Sequence, residues 1–217
     1  VSNAGVVATD TAGVGTARST IAACSYGGDK GIFGFGTTGS RTAVTNLVSN
    51  AGVVATDTAG VGTIKQSLAA CEYGGDKGIF GFGAAAAYIA ITNLVSNAGV
   101  VATDTAGVGS ARNYPAACSY GEDKGIFGFG YIIGPGAVSM TNLVSNAGVV
   151  ATDVAGVGTA RNSLAATQYD GDKGIFGFGY GAGREDTTNL VSNAGVVATD
   201  VAGVGTARAD LAACSFN

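Results

Sequence analysis

The 217 residues contain no histidine and no tryptophan, and only 2 prolines and 1 methionine. Without histidine there is no Ser-His-Asp or Cys-His nucleophilic arrangement, and none of the usual His-bearing zinc or copper sites. Carboxylate-only chemistry is left, and Glu185-Asp186 is the single acidic pair in a variable stretch, where a solvated loop is the expected reading. Charged residues make up 12% of the chain and the net charge is −4 with basic residues dispersed, so the footprint of a nucleic-acid binder is missing. No apolar run approaches the roughly 18–20 residues of a membrane helix. Hydrophobic content of 47% argues against disorder.

What is abundant is glycine, 38 residues, without the strict every-third period of collagen. Much of it falls in one octapeptide, Asp29-Lys30-Gly31-Ile32-Phe33-Gly34-Phe35-Gly36, repeated at 76–83, 123–130 and 172–179. Read as a strand, it places Lys30, Ile32, Gly34 and Gly36 on one face and Gly31, Phe33 and Phe35 on the other. Its glycines leave room for a second backbone or strand to approach. Val-Ser-Asn-Ala-Gly-Val-Val-Ala-Thr-Asp starts at 1, 48, 95, 144 and 191, so the period is 47 residues, with 2 extra in the third loop.

Taken from Thr16, one unit reads as a strand over 16–26, a turn at 27–29, a strand over 30–36, a loop over 37–43, a strand over 44–49, a turn at 50–52 and a fourth strand over 53–57. No 3.6-residue apolar pattern is long enough for a helix. Four short strands per unit of this size match a blade of a β-propeller. The succession Ala17-Arg18, Ile21-Ala22-Ala23 and Gly28 to Gly36 resembles a kelch repeat, and the resemblance covers essentially the whole chain. It departs from that pattern in having Gly34-Phe35-Gly36 for adjacent glycines and Val53-Val54 where a tryptophan is usual. The resemblance implies an all-β propeller of four-stranded blades used mostly for binding. A β-solenoid with parallel stacked strands is the alternative.

The chain is expected to be a single repeat domain, 1–217, with four full repeats and partial repeats at both ends. Five copies of the first and fourth strands but four of the second suggest a segment of a longer array, or a ring completed by another chain or another copy of the repeat.

Cys24, Cys71, Cys118 and Cys214 share one repeat position, held by Thr167 in the fourth copy. They are expected to be small buried hydrophobes, unpaired with one another. Asp10, Asp57, Asp104, Asp153 and Asp200 could suggest a ring of calcium sites, but one carboxylate per loop points to turn capping. Arg18, Lys65, Arg112, Arg161 and Arg208 are expected to bond loop carbonyls rather than a ligand. No cofactor and no metal site is expected.

The copies differ mainly at 37–44, 84–91, 131–140 and 180–187, and in the pairs 19–20, 66–67, 113–114, 162–163 and 209–210. In an up-and-down blade both sets lie at one end. Tyr26, Tyr73, Tyr120 and Tyr169 belong to the framework, whereas Tyr88, Tyr114, Tyr131 and Tyr180 are variable. Tyrosine gives large contact area at low entropy cost. The expected contact residues are Arg41, Tyr88, Ile89, Tyr114, Tyr131, Ile132, Arg184 and Glu185. The function expected is a non-enzymatic binding module for a protein or glycan. The alternative is a structural or adhesive part of a viral or cell-surface fibre.

Overall fold

The computed structural model describes residues 6, 7 and 9–215. Among them are twelve strands and no helix: β1 (Ala22–Tyr26), β2 (Lys30–Gly34), β3 (Thr45–Val48), β4 (Ala69–Tyr73), β5 (Lys77–Gly81), β6 (Thr92–Val95), β7 (Ala116–Tyr120), β8 (Lys124–Ile132), β9 (Gly136–Val144), β10 (Ala165–Tyr169), β11 (Lys173–Gly177) and β12 (Thr188–Val191). They form four separate antiparallel sheets of three strands, each in chain order. The register repeats from unit to unit, with Ala22 opposite Gly34 and Gly31 opposite Val48 in the first, and Ala69 opposite Gly81 and Gly78 opposite Val95 in the second. No named strand pairs with a strand of another sheet. The continuous parallel stack of a solenoid is therefore not the arrangement.

Three of the four expected strands per unit form as ladders. The fourth, 53–57, runs beside β3 but joins it by bridges alone, Val48 to Val54 and Thr45 to Thr58. Three steps along β3 face four along the other segment, so one residue bulges out. The Asn46 side chain enters the gap, its Nδ2 donating to Ala55 O at 3.1 Å beside the Ala55 N to Leu47 O bond at 2.8 Å. The expected first strand is shortened as well. Only 22–26 is in the ladder, because Thr20 turns left-handed at φ 52°.

The sheets stack face to face, and the glycines of the second strand make this possible. Gly34 has the Phe80 ring of the next unit 2.8 Å from where a Cβ would stand, and Phe127 and Phe176 meet Gly81 and Gly128 in the same way. On the other face, Cys71 and Cys118 lie against Gly125 and Gly174. Each second strand thus turns its Gly31-type and Phe33-type positions to the preceding unit, and its Ile32-type and Gly34-type positions to the following one.

One expected alternation fails here. Phe35 does not share a face with Phe33. Its φ of 61° flips it toward the following unit, where it stacks edge-on against Phe80 with centroids 5.2 Å apart. Phe82 and Phe129 repeat the twist and the pairing with Phe127 and Phe176. A phenylalanine at positive φ is strained, at about 1–3 kcal/mol. Full burial of the ring, worth about 1.5–3 kcal/mol, offsets that cost.

Three cores result, one between each pair of neighbouring sheets. Tyr26, Tyr73 and Tyr120 are buried in them with their rings against Gly99, Gly148 and Gly195. Backbone hydrogen bonds also cross between units: Gly27 N to Asp76 O at 2.7 Å at one end, and Gly36 N to Lys65 O at 2.9 Å near the other.

Candidate binding site

The basic position of each repeat has a structural job. Lys65, Arg112, Arg161 and Arg208 lie over the rings of Phe35, Phe82, Phe129 and Phe178 of the preceding unit, at 4.6, 4.0, 4.4 and 4.2 Å from the centroids. Arg112 donates to Asn142 Oδ1 at 2.7 Å and Arg161 to Asn189 Oδ1 at 2.6 Å. Loop carbonyls accept too, Ser110 O from Arg112 and Thr159 O from Arg161. Lys65 is fully buried and keeps the asparagine bond, to Asn93 Oδ1 at 2.6 Å. Burial pushes its ammonium down to about 8, against the pull of Asp104.

The aspartates close the same network. Asp104 accepts from Thr63 N at 3.0 Å and Thr63 Oγ1 at 2.6 Å, and from Asn93 Nδ2 at 2.9 Å. Asp57, Asp153 and Asp200 hold Thr16, Ser110 and Thr159 in the same way. These bonds span 41 to 43 residues, so each aspartate ties the start of its unit to the end and is more than a local turn cap. Burial works to raise the Asp104 carboxyl, but the Thr63 and Asn93 bonds outweigh it and hold it below the usual range. Among the described residues, no group of three or more Cys, Asp or Glu is placed to hold a metal ion.

At the end where the copies differ, backbone hydrogen bonds link a row of left-handed residues from successive units. Asp210 N donates to Ser163 O, Ser163 N to Tyr114 O, Tyr114 N to Ser67 O and Ser67 N to Thr20 O, at 2.9–3.2 Å. All five have φ between 50° and 58°. They line one cavity of about 310 Å³ together with their neighbours, among them Ile21, Leu68, Pro115, Leu164 and Leu211, so equivalent residues from five copies share one space.

Beside it lies a cleft of about 300 Å³ formed by Tyr88, Tyr114, Tyr131 and Tyr180 with Asn113, Asn162, Ala137 and Gly181. The four variable tyrosines, far apart in sequence, converge here. Tyr88 and Tyr131 meet edge to face at 6.4 Å. Tyr114 belongs to both cavities and joins them. The two extra residues of the third unit extend β8 and β9 into a longer hairpin, with Tyr131 opposite Ala137 and Ile132 opposite Gly136. That hairpin projects Tyr131 to the cleft.

Asn113 forms part of the floor. Its backbone exchanges hydrogen bonds with Tyr131, at 2.8 and 3.0 Å. Its side chain is in a residue only 6% exposed, and its Oδ1 has no hydrogen-bond partner. A buried acceptor left open costs about 1–3 kcal/mol and is relieved by any ligand donor that reaches it.

Of the eight expected contact residues, the cleft therefore brings together Tyr88, Tyr114 and Tyr131. Arg41 and Arg184 are exposed on neighbouring loops, paired through their backbones with Thr37 and Tyr180. Ile89 and Ile132 are half-buried, and Glu185 receives Arg208 N at its carbonyl. None of these five lines the cleft. Tyr180, Asn113 and Asn162 do, and were not among the eight. All three fall in the variable sets, which was the available signal; nothing in the sequence marks an amide as lacking a partner. Neither a protein-family model nor a curated protein matches the chain.

Proposed function

We propose that the chain is a non-enzymatic recognition module, a kelch-like β-propeller whose stacked sheets are blades around a central axis. The shared cavity bounded by equivalent residues of five copies supports the radial arrangement. The observation that carries the binding role is the convergence of Tyr88, Tyr114, Tyr131 and Tyr180 on one cleft. A framework repeated almost verbatim would present the same feature in every unit, whereas the residues of this cleft differ between units.

Ligand pockets usually span about 300–1,000 Å³, so a cleft at the lower bound suits a small group. A sugar ring fits that description: its apolar face stacks on tyrosine and its hydroxyls meet the amide of Asn162. A single side chain of a protein ligand would meet the same groups. Screening against a glycan array and a peptide display library separates the two. Tyr88→Ala, Tyr131→Ala and Asn113→Ala are each expected to weaken the recovered ligand about tenfold or more, whereas Asp29→Ala and Asp76→Ala at the other end leave it unchanged. Loss of binding in the aspartate variants with retention in the tyrosine variants would overturn the assignment.

A structural role in a viral or cell-surface fibre is the second reading, favoured by the head-to-tail contact that joins every pair of units. Lengthening filaments with no ligand at the cleft would support it.

A further inference from the structure

The three contacts between neighbouring sheets use the same parts, and the two outermost surfaces of the stack display those parts unused. Phe80, Phe127 and Phe176 are fully buried against the preceding unit, whereas Phe33, their equivalent in the first sheet, is 37% exposed. Gly31 in the same sheet lacks the cysteine sulfur that covers Gly78, Gly125 and Gly174. At the other end, Gly177 has no aromatic ring over it, in contrast to Gly34, Gly81 and Gly128. Phe178 is half-buried where Phe35, Phe82 and Phe129 are fully buried. So one surface has a projecting ring with no seat, and the other has a seat with no ring.

A cavity of about 390 Å³ is lined by the first-strand segments of all five copies, 23–25, 70–72, 117–119, 167–168 and 213–215, and, of the second strands, by Lys30, Gly31, Ile32 and Phe33 of the first sheet alone, so the open face of that sheet and the end of the last copy border one space. Residues 212–215 repeat the first four residues of β1, but they are in no ladder, and Ala212, Ala213 and Cys214 are exposed. Their equivalents in β1, β4, β7 and β10 each pair with a Lys-Gly-Ile-Phe-Gly strand.

We propose that this space is a strand-acceptor site, and that its occupant is an extended segment of Gly-Ile-Phe-Gly-Phe pattern supplied by another copy of the repeat. Such a strand pairs antiparallel with 212–215, completing their backbone hydrogen bonds by β-augmentation. Its first phenylalanine sits on Gly177 and Phe178, as Phe80 sits on Gly34 and Phe35. Its second glycine and second phenylalanine receive Phe33. Cys214 then closes over Gly31, as Cys24 closes over Gly78. The segment's two faces match two different surfaces at once, which an arbitrary apolar peptide does not. This site is separate from the tyrosine cleft and does not depend on the recognition reading.

The test uses the full chain and a fluorescent peptide of residues 74–83. Saturable binding is expected by anisotropy, together with alkylation of Cys214 slowed about tenfold or more at saturation. The same peptide carrying Phe80→Ala and Phe82→Ala is expected not to bind. In the chain, Gly31→Ala fits the structure as it stands, with the nearest atom to an added Cβ 3.6 Å away, and Gly177→Ala needs only a shift of a few tenths of an ångström in the Thr188 methyl group, 3.3 Å away. Each is expected to keep the fold by circular dichroism and to weaken the peptide about tenfold or more. Tyr131→Ala should leave peptide binding unchanged. The proposal is overturned if the folded chain does not bind the peptide, if both glycine variants bind it normally, or if Tyr131→Ala abolishes binding and so relocates the peptide to the cleft. It is also overturned if the chain pairs with itself through this face in a dimer the peptide does not dissociate.

Discussion

The sulfur of Cys24 lies 2.5 Å from the point a Cβ on Gly78 would occupy, so the contact between the first two sheets exists only because residue 78 has no side chain. Gly78→Ala is therefore expected to overpack the interface and cost about 1–3 kcal/mol in urea denaturation. Gly31→Ala, at the equivalent place on the open face, is expected to be neutral or slightly stabilising, since alanine is the better strand residue. Cys24→Ala combined with Gly78→Ala should recover most of the loss. A positive coupling of about 1 kcal/mol or more in that cycle is the quantity that checks the contact; strict additivity would contradict it.

The thiols should separate by reactivity. Burial pushes Cys24 and Cys118 up to about 12 and Cys71 well above its ordinary value, while Cys214 is exposed. All four cysteines are free. With native protein at pH 8, mass spectrometry after alkylation is expected to find one adduct, at Cys214, and four after unfolding. The expectation of a buried cysteine at every repeat position is corrected by Cys214, whose covering strand is absent from the described residues.

Lys65 gives a pH signature of definite sign. Its folded value is about 8, whereas the unfolded side chain keeps its proton to about 10.4. Below pH 8 the fold bears the cost of a buried charge. As pH rises from about 8 to 10.5 the folded state loses that proton first, so the unfolded chain binds more protons and stability rises. The shift corresponds to a few kcal/mol at most. Comparing wild type with Lys65→Met from pH 7 to 10 removes the other titrating groups, and the difference should move in favour of wild type. A flat difference would show that the ammonium is not desolvated.

At acid pH the sign reverses. The Asp104, Asp153 and Asp200 carboxyls are held below their ordinary values, so they contribute stability above about pH 4 that is lost as pH falls through the folded values. Asp104→Ala at pH 7 is expected to cost about 1 kcal/mol, a figure kept low because the carboxylate is partly exposed, and to flatten the decline in melting temperature below pH 4. Asp29→Ala, whose partners are the solvent-facing Lys30 and Asn50, should change the melting temperature little.

The period, the second strand and its two turns were legible because they depend on local chemistry: glycine-rich turns and an apolar-aromatic strand written four times. The face of Phe35 was not, since a bulky residue at positive φ is stabilised by Phe80 in another unit and has no local marker. The bridged, bulged form of the fourth strand is not legible for a similar reason. Val53-Val54 has strand propensity, but the Asn46 amide takes a carbonyl bond that a ladder would need. Convergence of the tyrosines was half legible. Variation between copies identified Tyr88, Tyr114 and Tyr131, but the same reasoning also picked out Arg41 and Ile89, because it ranks positions by difference and cannot see direction.

Every contact between units is directional, with Phe80 of the later unit resting on Gly34 of the earlier one and never the reverse. A heterologous contact of this kind contains no stop signal: it repeats until the rotation it imposes returns to the start, or continues as a helix if it does not. The number of units is then a property of the angle between two sheets and not of any residue that counts them. Duplicating or deleting one 47-residue unit would leave each surviving contact chemically intact, and would change instead the length of the row.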